Sequence, residues 1–265
     1  MMQLTDQIGT QLFFETTPKR IVSLVPSQTE LLYDLGLEDA IVGITKFCVH
    51  PVHFRSVKTI VGGTKNVRFD KIKSLLPDII ICNKEENTKE IVEELSQICP
   101  VWVTDIHTIA DNLQMIHDFG QLFNRRIEAQ KWIDKINFIY LEFQQFIKEK
   151  PIKKVAYFIW ANPHMVAGND TFINELLQLN HFENIYNVKE GRYPEIELKK
   201  IRLEGDPDYV FLSSEPFPFK DEHAFEIGRF THHAKTVFVD GEMFSWYGSR
   251  LLKAFDYFKL LHSKI

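Results

Sequence analysis

Short apolar runs alternate with longer amphipathic stretches along most of the chain. The runs that we predict as strands are RIVSLV, AIVGIT, PDIIIC and PVWVTD in the first half, and KKVAYFIW, PDYVFLS and KTVFVD in the second. Parallel strands need long crossover connections, usually helices, so this alternation predicts an α/β class with mostly parallel sheets.

Part of this pattern occurs twice. A Pro-Asp pair precedes a strand in LPDIIIC and again in DPDYVFLS, and the next strand in each half ends in Asp, at Asp105 and Asp240. The offset between the matching motifs is nearly constant. The repetition predicts two Rossmann-like lobes of similar plan.

A different kind of segment lies between the two halves. From about Arg126 to Lys148, apolar residues recur every three or four positions without Gly or Pro, until Pro151 ends the pattern. At 1.5 Å per residue this is a helix of roughly 35 Å. We therefore predict an N-terminal lobe at 1–124, a connecting helix at 125–150 and a C-terminal lobe at 151–265. The ligand cleft is expected between the lobes, beyond the carboxyl ends of the strands.

Composition narrows the function classes. Hydrophobic residues make up 45% of the chain, and the formal net charge of −5 does not favour nucleic-acid binding. No apolar run is long enough to cross a bilayer, and the first residues lack a secretory signal pattern. On these residues alone we expect a monomeric cytoplasmic protein, or one whose signal has been removed.

The stretch VPSQTELLYDLG follows the first predicted strand. Ser27 and Glu30 have the spacing of a capping box, in which two side chains satisfy backbone N–H groups at a helix start. We therefore expect a helix that begins at Ser27, is capped internally and forms part of the cleft wall.

The loops after the predicted strands are rich in aromatic, histidine and cationic residues. Rings can stack on a large, flat ligand, and Lys or Arg can offset its negative charge. The predicted ligand-binding residues are Ser27, Lys46, Phe47, His50, Lys65, Trp160, His164, Tyr193, Trp246, Tyr247 and Arg250.

Two other interpretations stay open. Cys48 and His50 are two positions apart and, with His164, are candidates for direct metal ligation, although no three-ligand spacing is present. The same Cys–His pair could serve an enzyme or sensor of cofactor metabolism. Nucleophile-elbow, phosphate-loop, zinc-protease and dinucleotide motifs are absent, so we predict no catalytic residue and no intrinsic cofactor.

Three segments together resemble a known family: RIVSLVPSQTELLYDLGLEDAIVGITKFCVHP, VGGTKNVRFDKIKSLLPDIIIC and WVTDIHTIADNL. They are similar to the helical-backbone, class III substrate-binding proteins of ABC importers, particularly the vitamin B12-binding and ferric-siderophore-binding branches. The resemblance implies a non-catalytic, periplasmic binding protein with a permease partner. Its ligand would be an iron siderophore, a corrinoid or haem, held between aromatic side chains.

The resemblance also assigns individual positions. Phe47 and His50 match the family's cleft loop after the second strand, whereas Thr64 stands where the B12-binding branch has a stacking Trp. Asp70 occupies the position of the first carboxylate that docks onto the permease. The second falls near Lys199, where Glu197 is the nearest acid.

Overall fold

A computed structural model describes residues 2–265, which form two compact units. The first unit comprises Met1–Asn137 and Tyr247–Leu251, and the second comprises Phe138–Trp246 and Leu252–Ile265. The long predicted helix is present as Arg126–Ile147, and the division between the units falls within it. The domain limits 1–124, 125–150 and 151–265 stay a prediction.

The strands of the first unit are β1 Met2–Thr5, β2 Gln11–Phe14, β3 Ile21–Ser23, β4 Ile41–Ile44, β5 Thr59–Ile60, β6 Ile79–Asn83 and β7 Val101–Thr104. Five of them form a parallel sheet in the order β5-β4-β3-β6-β7, and β1 and β2 form an antiparallel hairpin. Its helices are α1 Pro26–Asp34, α2 Phe54–Val57, α3 Phe69–Ser74, α4 Lys89–Leu95 and α5 Ile109–Leu122, followed by the start of α6 Arg126–Ile147; short 3-10 helices span Glu38–Ala40 and Gly248–Arg250.

The strands of the second unit are β8 Lys153–Trp160, β9 Met165–Val166, β10 Phe182–Asn184, β11 Tyr209–Ser213 and β12 Lys235–Val239. They repeat the plan of the first unit, with parallel strands in the order β10-β8-β11-β12, and β9 pairs antiparallel with β8. Its helices, beyond the end of α6, are α7 Phe172–Leu179, α8 Ile201–Glu204, α9 Asp221–Gly228, α10 Gly241–Ser245 and α11 Leu251–Lys264, with a 3-10 helix at Leu198–Lys200. Two mostly parallel sheets confirm the predicted α/β class.

The repeated Pro-Asp motif has the same local function in both units. The carboxylate of Asp78 accepts the backbone N–H groups of Lys19 and Arg20, just before β3. The carboxylate of Asp208 accepts the N–H of Lys154 in β8 at 2.9 Å. In each unit the aspartate thus satisfies a backbone donor of the neighbouring strand where that strand begins.

The capping-box prediction at the start of α1 is wrong. The helix begins at Pro26, the N-cap residue is Val25, and no side chain caps it. Pro26 suits the first helical position because its missing N–H needs no partner there. Ser27 and Glu30 both lie inside the helix and are buried, and Glu30 pairs with a residue far along the sequence instead.

Among residues 2–265, no helix has the length and apolar character required to cross a membrane.

Candidate ligand-binding site

A hydrogen-bonded floor lies at the carboxyl edge of the first unit's sheet. Gln28, in the first turn of α1, donates from its Nε2 to Thr104 Oγ1 and, at 3.1 Å, to Tyr247 Oη. Asn83 at the end of β6 also donates to Thr104. All four residues are buried, so these bonds fix the ends of three elements in place.

Ser27 and Tyr247 belong to this floor. Both are buried, with Ser27 5% and Tyr247 8% exposed. Burial raises the pKa of the Tyr247 hydroxyl, and the nearby carboxyl of Glu86 adds to that effect, whereas hydrogen bonds with Gln28 and Ser27 oppose it. Little of the Tyr247 ring is exposed for a ligand to stack on, which argues against its predicted stacking role.

Phe47 is the exposed aromatic residue of this edge. Its side chain is 49% exposed in the loop after β4, and the Lys46 ammonium lies 4.9 Å from the centre of its ring. Gly63 allows the close approach of this ring, because a Cβ there would be only 3.1 Å from Phe47 Cε2. Lys65, in the same Gly-Gly-Thr-Lys loop, is exposed. The structure therefore brings Lys46 and Phe47 together beside the loop that carries Lys65.

A carboxyl that sequence analysis did not single out lies at the same edge. Burial raises the pKa of Glu86, and Glu85 adds to this, whereas Lys65 and a hydrogen bond with Thr64 lower it. Glu86 follows β6 in the segment NKEEN. Its position after a strand is the feature of the sequence that could have identified it as a candidate site residue. Its partial burial depends on contacts that a sequence does not record.

Among residues 2–265, Cys48 and His50 do not form a metal site with a third ligand. The Cys48 thiol is buried between the hydroxyls of Thr29 and Thr45, at 3.1 and 3.3 Å, and burial raises its pKa. A raised pKa disfavours the thiolate that binds metal ions. In the described part of the chain, neither these residues nor His164 belongs to a group of three possible metal ligands.

The second unit has an aromatic cluster at the carboxyl end of β8. Trp160 is 39% exposed and contacts Phe217 edge-on, with 5.4 Å between ring centres. Phe217 in turn packs against Phe219 and His223 at 4.8 and 5.1 Å. The Trp160 ring is thus supported from one side and remains accessible.

His164 and Tyr193 are half-buried in the same unit. The His164 ring packs edge-on against Phe158 at 6.3 Å, and its buried Nε2 has no hydrogen-bond partner. Burial lowers the pKa of His164, which favours the neutral imidazole. Tyr193 lies in the loop between β10 and α8.

Trp246 and Tyr247 are adjacent in sequence but belong to different units. Trp246 is 7% exposed, and its indole Nε1 donates to Glu215 at 2.7 Å. Ser245 donates to the same carboxylate oxygen at 3.1 Å. Each ring is thus largely buried within its own unit, which argues against the predicted stacking of Trp246 and Tyr247 on a ligand.

The predicted ligand-binding role of Arg250 needs correction. Its guanidinium donates twice to the Glu30 carboxylate, from Nε at 2.7 Å and from a terminal nitrogen at 2.9 Å. Arg250 is 3% exposed. The buried, bidentate pair already gives this guanidinium its counter-ion within the first unit, so this charge is not directed at a ligand.

The two predicted docking carboxylates are exposed. Asp70 lies in the first turn of α3, and Glu197 precedes the 3-10 helix Leu198–Lys200. Glu197 forms an ion pair with Lys200, and this hydrogen bond lowers the pKa of Glu197. Both groups are therefore accessible at the surface of their own unit.

Known proteins share this fold and sequence pattern. Residues 21–231 match the family described as periplasmic binding protein, so the chain belongs to that family. The chain is 25% identical over 96% of its length to the "Uncharacterized ABC transporter substrate-binding lipoprotein YvrC" of Bacillus subtilis, and covers 82% of that protein. Membership confirms the predicted class, a non-catalytic substrate-binding protein of the kind that serves ABC importers.

Solved structures agree on the fold. The periplasmic vitamin B12-binding protein BtuF of Vibrio cholerae has a TM-score of 0.80 at 18% identity, covering 94% of this chain and 99% of that one. A periplasmic heme-binding protein from Pseudomonas aeruginosa has a TM-score of 0.79 at 18% identity, covering 92% of each chain. These likenesses confirm the periplasmic-binding-protein fold.

Proposed function

We propose that the chain is the substrate-binding component of an ABC importer whose substrate is a large metal chelate, in the class of haem, corrinoids and ferric siderophores. The observation that carries this proposal is a pair of exposed aromatic side chains at strand carboxyl ends. Phe47 is 49% exposed in the first unit and Trp160 is 39% exposed in the second. Ligands of parallel α/β sheets bind beyond those strand ends, where an exposed ring can stack on a macrocycle or catecholate.

The charges around Phe47 favour an anionic chelate. Lys46 lies over the Phe47 ring and Lys65 is exposed in the neighbouring loop. Lys84, which follows β6 at the same edge, is instead paired with Asp105 at 2.6 Å. Haem propionates and many ferric siderophores carry the negative charge that Lys46 and Lys65 could neutralise. The proteins named for B12 and heme binding share the fold, which supports this ligand class without choosing between its members.

The test is a calorimetric titration of the purified protein with haemin, cyanocobalamin and ferric siderophores of catecholate and hydroxamate types. We expect one-to-one binding, micromolar or tighter, to one of these ligands. We expect Phe47→Ala to weaken that binding by about fivefold to 150-fold, because ring stacking on nucleic-acid bases contributes about 1–3 kcal/mol. Trp160→Ala should have a similar effect.

Matched controls separate stacking from a general loss of aromatic surface. Phe13→Ala, on the β1-β2 hairpin, and Phe138→Ala, on α6, remove rings that are 57% and 65% exposed. Both controls should bind like the unmodified protein. The proposal fails if folded protein binds none of the chelates, or if the controls lose as much affinity as Phe47→Ala and Trp160→Ala.

The same proposal places the protein outside the cytoplasmic membrane, with a permease as its partner. A relative named as a substrate-binding lipoprotein supports this location. Asp70 and Glu197, one on each unit, are the proposed carboxylates that dock onto the permease.

A further inference from the structure

Asp206, His232 and His233 lie together in the second unit, and each offers a ligand atom within 4.8 Å of the others. Asp206 precedes β11 and the two histidines precede β12, so the group lies at the amino edge of the sheet. Trp160 ends β8 at the opposite, carboxyl edge. We propose that this group, the amino-edge triad, binds a transition-metal ion of the zinc class, independently of any chelate.

The distances within the triad suit such an ion. His233 Nδ1 lies 3.6 Å from Asp206 Oδ2. Two ligand atoms about 2.1 Å from a tetrahedral zinc ion are roughly 3.4 Å apart, so both atoms could coordinate one ion with little movement. The His232 and His233 rings are nearly perpendicular, at 88° with centres 5.8 Å apart. They are therefore not stacked on each other.

A buried carboxylate oxygen of Asp206 is evidence that a cation binds at the triad. The Oδ1 of Asp206 is buried and has no hydrogen-bond partner. Burying an unpaired carboxylate oxygen is costly, and buried charged groups are normally paired or bound to metal ions. A cation beside Asp206 would offset this cost.

A second carboxylate is placed to orient one of the histidines. His233 Nε2 lies 3.6 Å from Asp208 Oδ1, on the side of the ring away from Nδ1. Asp208 is itself fixed, because its Oδ2 accepts the backbone N–H of Lys154 at 2.9 Å. A carboxylate that faces the second nitrogen of a ligating histidine is the usual support of a protein zinc site, since it sets the tautomer and ring direction.

The two loops that carry the triad are held together. Arg202 donates to the backbone carbonyls of Phe230 and Thr231, at 3.0 and 2.8 Å, immediately before the two histidines. Lys235, two positions after His233, donates its N–H to the Asp208 carbonyl at 2.9 Å. Positions on both sides of His232 and His233 are thus bonded to the segment Ile201–Asp208, so a metal ion would bind a largely formed site.

The donor set indicates which ions would bind. Two imidazoles and a carboxylate suit Zn²⁺, Ni²⁺ and Cu²⁺, whereas Ca²⁺ and Mg²⁺ prefer sites made of oxygen ligands. Three protein ligands leave a fourth tetrahedral position for water. We therefore expect transition-metal binding with no response to Ca²⁺ or Mg²⁺.

The test is a calorimetric titration of chelator-treated full-length protein with Zn²⁺ alone, then with Ni²⁺, Cu²⁺ and Ca²⁺. We expect one Zn²⁺ per chain with micromolar or tighter affinity, and at least tenfold weaker binding in His233→Asn and Asp206→Asn. The matched control is His117→Asn, which removes an exposed histidine on α5 and should leave Zn²⁺ binding unchanged.

Thermal unfolding with and without Zn²⁺ provides a second measurement. Zn²⁺ should raise the midpoint of the unmodified protein and of His117→Asn, but not that of His233→Asn. If Asp206→Asn fails to fold, His232→Asn takes its place, because His232 is exposed and its loss should not disturb packing. No Zn²⁺ binding by the folded protein, or equal binding by all the variants, would overturn the proposal.

Discussion

At the scale of single residues, the Arg250–Glu30 pair shows how burial decides what a charged side chain does. The pair is bidentate and nearly inaccessible, and it joins the segment Tyr247–Leu251 to α1 within the first unit. Gly248, in the same segment, donates its N–H to Asn112 Oδ1 on α5. An exposed arginine beside aromatic residues would suit an anionic ligand, but a buried one already has its counter-ion.

Removing one partner of this pair should therefore be severely destabilising. We expect Arg250→Met to lower the free energy of unfolding by about 3–5 kcal/mol, because Glu30 is left as an uncompensated buried charge. The double variant Glu30→Leu/Arg250→Met should recover part of that loss, since no buried charge remains. Urea denaturation measures all three proteins.

The control for this experiment is Lys89→Met, which breaks the exposed i,i+4 pair with Glu93. Exposed pairs contribute about 0–1 kcal/mol, so this variant should unfold almost like the unmodified protein. An Arg250→Met variant as stable as Lys89→Met would show that the buried pair contributes little to folding.

The sequence alone predicts the strands, but it does not predict the Arg250–Glu30 pair. Strands such as KKVAYFIW are long apolar runs whose burial follows from composition, and β8 spans Lys153–Trp160 as predicted. The S-x-x-E spacing at Ser27, in contrast, fits a capping box and a helix interior equally well. The choice depends on Arg250, which is distant in sequence, and local spacing carries no information about it.

The candidate site residues also divide into those that the sequence could identify and those that it could not. Phe47 follows a strand and Trp160 ends one, and both are exposed, as their positions at strand ends suggested. Trp246 has an equally suggestive loop position, yet Glu215 binds its indole and packing covers the ring. The turn at His232 and His233 has no recognisable metal-ligand spacing, because the third member of the triad comes from a different loop.

At the scale of elements, the end of α11 contains a histidine that the fold keeps neutral. The His262 ring stacks on Phe182 of β10, with centres 4.9 Å apart and planes 11° from parallel. Its Nε2 lies 3.1 Å from Asn180 Oδ1. Burial, followed by the charges of Lys150 and His181, lowers the pKa of His262 to about 4.

This lowered pKa makes the stability of the second unit depend on pH. Between about pH 6.5 and pH 4 the unfolded chain binds a proton at His262 that the folded chain does not, so stability falls as the pH falls through this window. Below about pH 4 both states carry the proton and the loss is complete. From pH 7.5 to pH 5 we expect His262 to account for about 1 kcal/mol, because the ring is only partly buried and solvent screens part of the effect.

Urea denaturation at pH 7.5 and pH 5 of the unmodified protein and of His262→Gln tests this expectation. The variant should lose less stability on acidification, because glutamine does not titrate. His117→Gln, which removes an exposed histidine, should lose as much as the unmodified protein. Identical pH dependence in all three proteins would contradict a neutral His262.

At the scale of the whole molecule, each unit presents one accessible carboxylate at a proposed docking position. Asp70 lies in the first turn of α3, where the helix dipole favours negative charge. The pKa of Glu197 is lowered by its hydrogen bond to Lys200, so the group is ionised at neutral pH. Neither residue belongs to the aromatic or cationic groups proposed to bind the chelate. Binding and transport should therefore be separable by substitution.

Asp70→Lys and Glu197→Lys should each reduce uptake severalfold without changing the affinity for the chelate. The reason is that a reversed charge repels a permease surface that is suited to bind carboxylates, whereas the ligand-binding residues are left intact. Uptake is measured in cells whose chromosomal gene carries each variant, and affinity by titration of the purified variants.

Glu94→Lys and Glu183→Lys, exposed on α4 and β10, are controls with the same charge change and should transport normally. If all four variants transport equally well, docking does not use Asp70 or Glu197. If uptake and affinity fall together, these residues act on the ligand rather than on the permease.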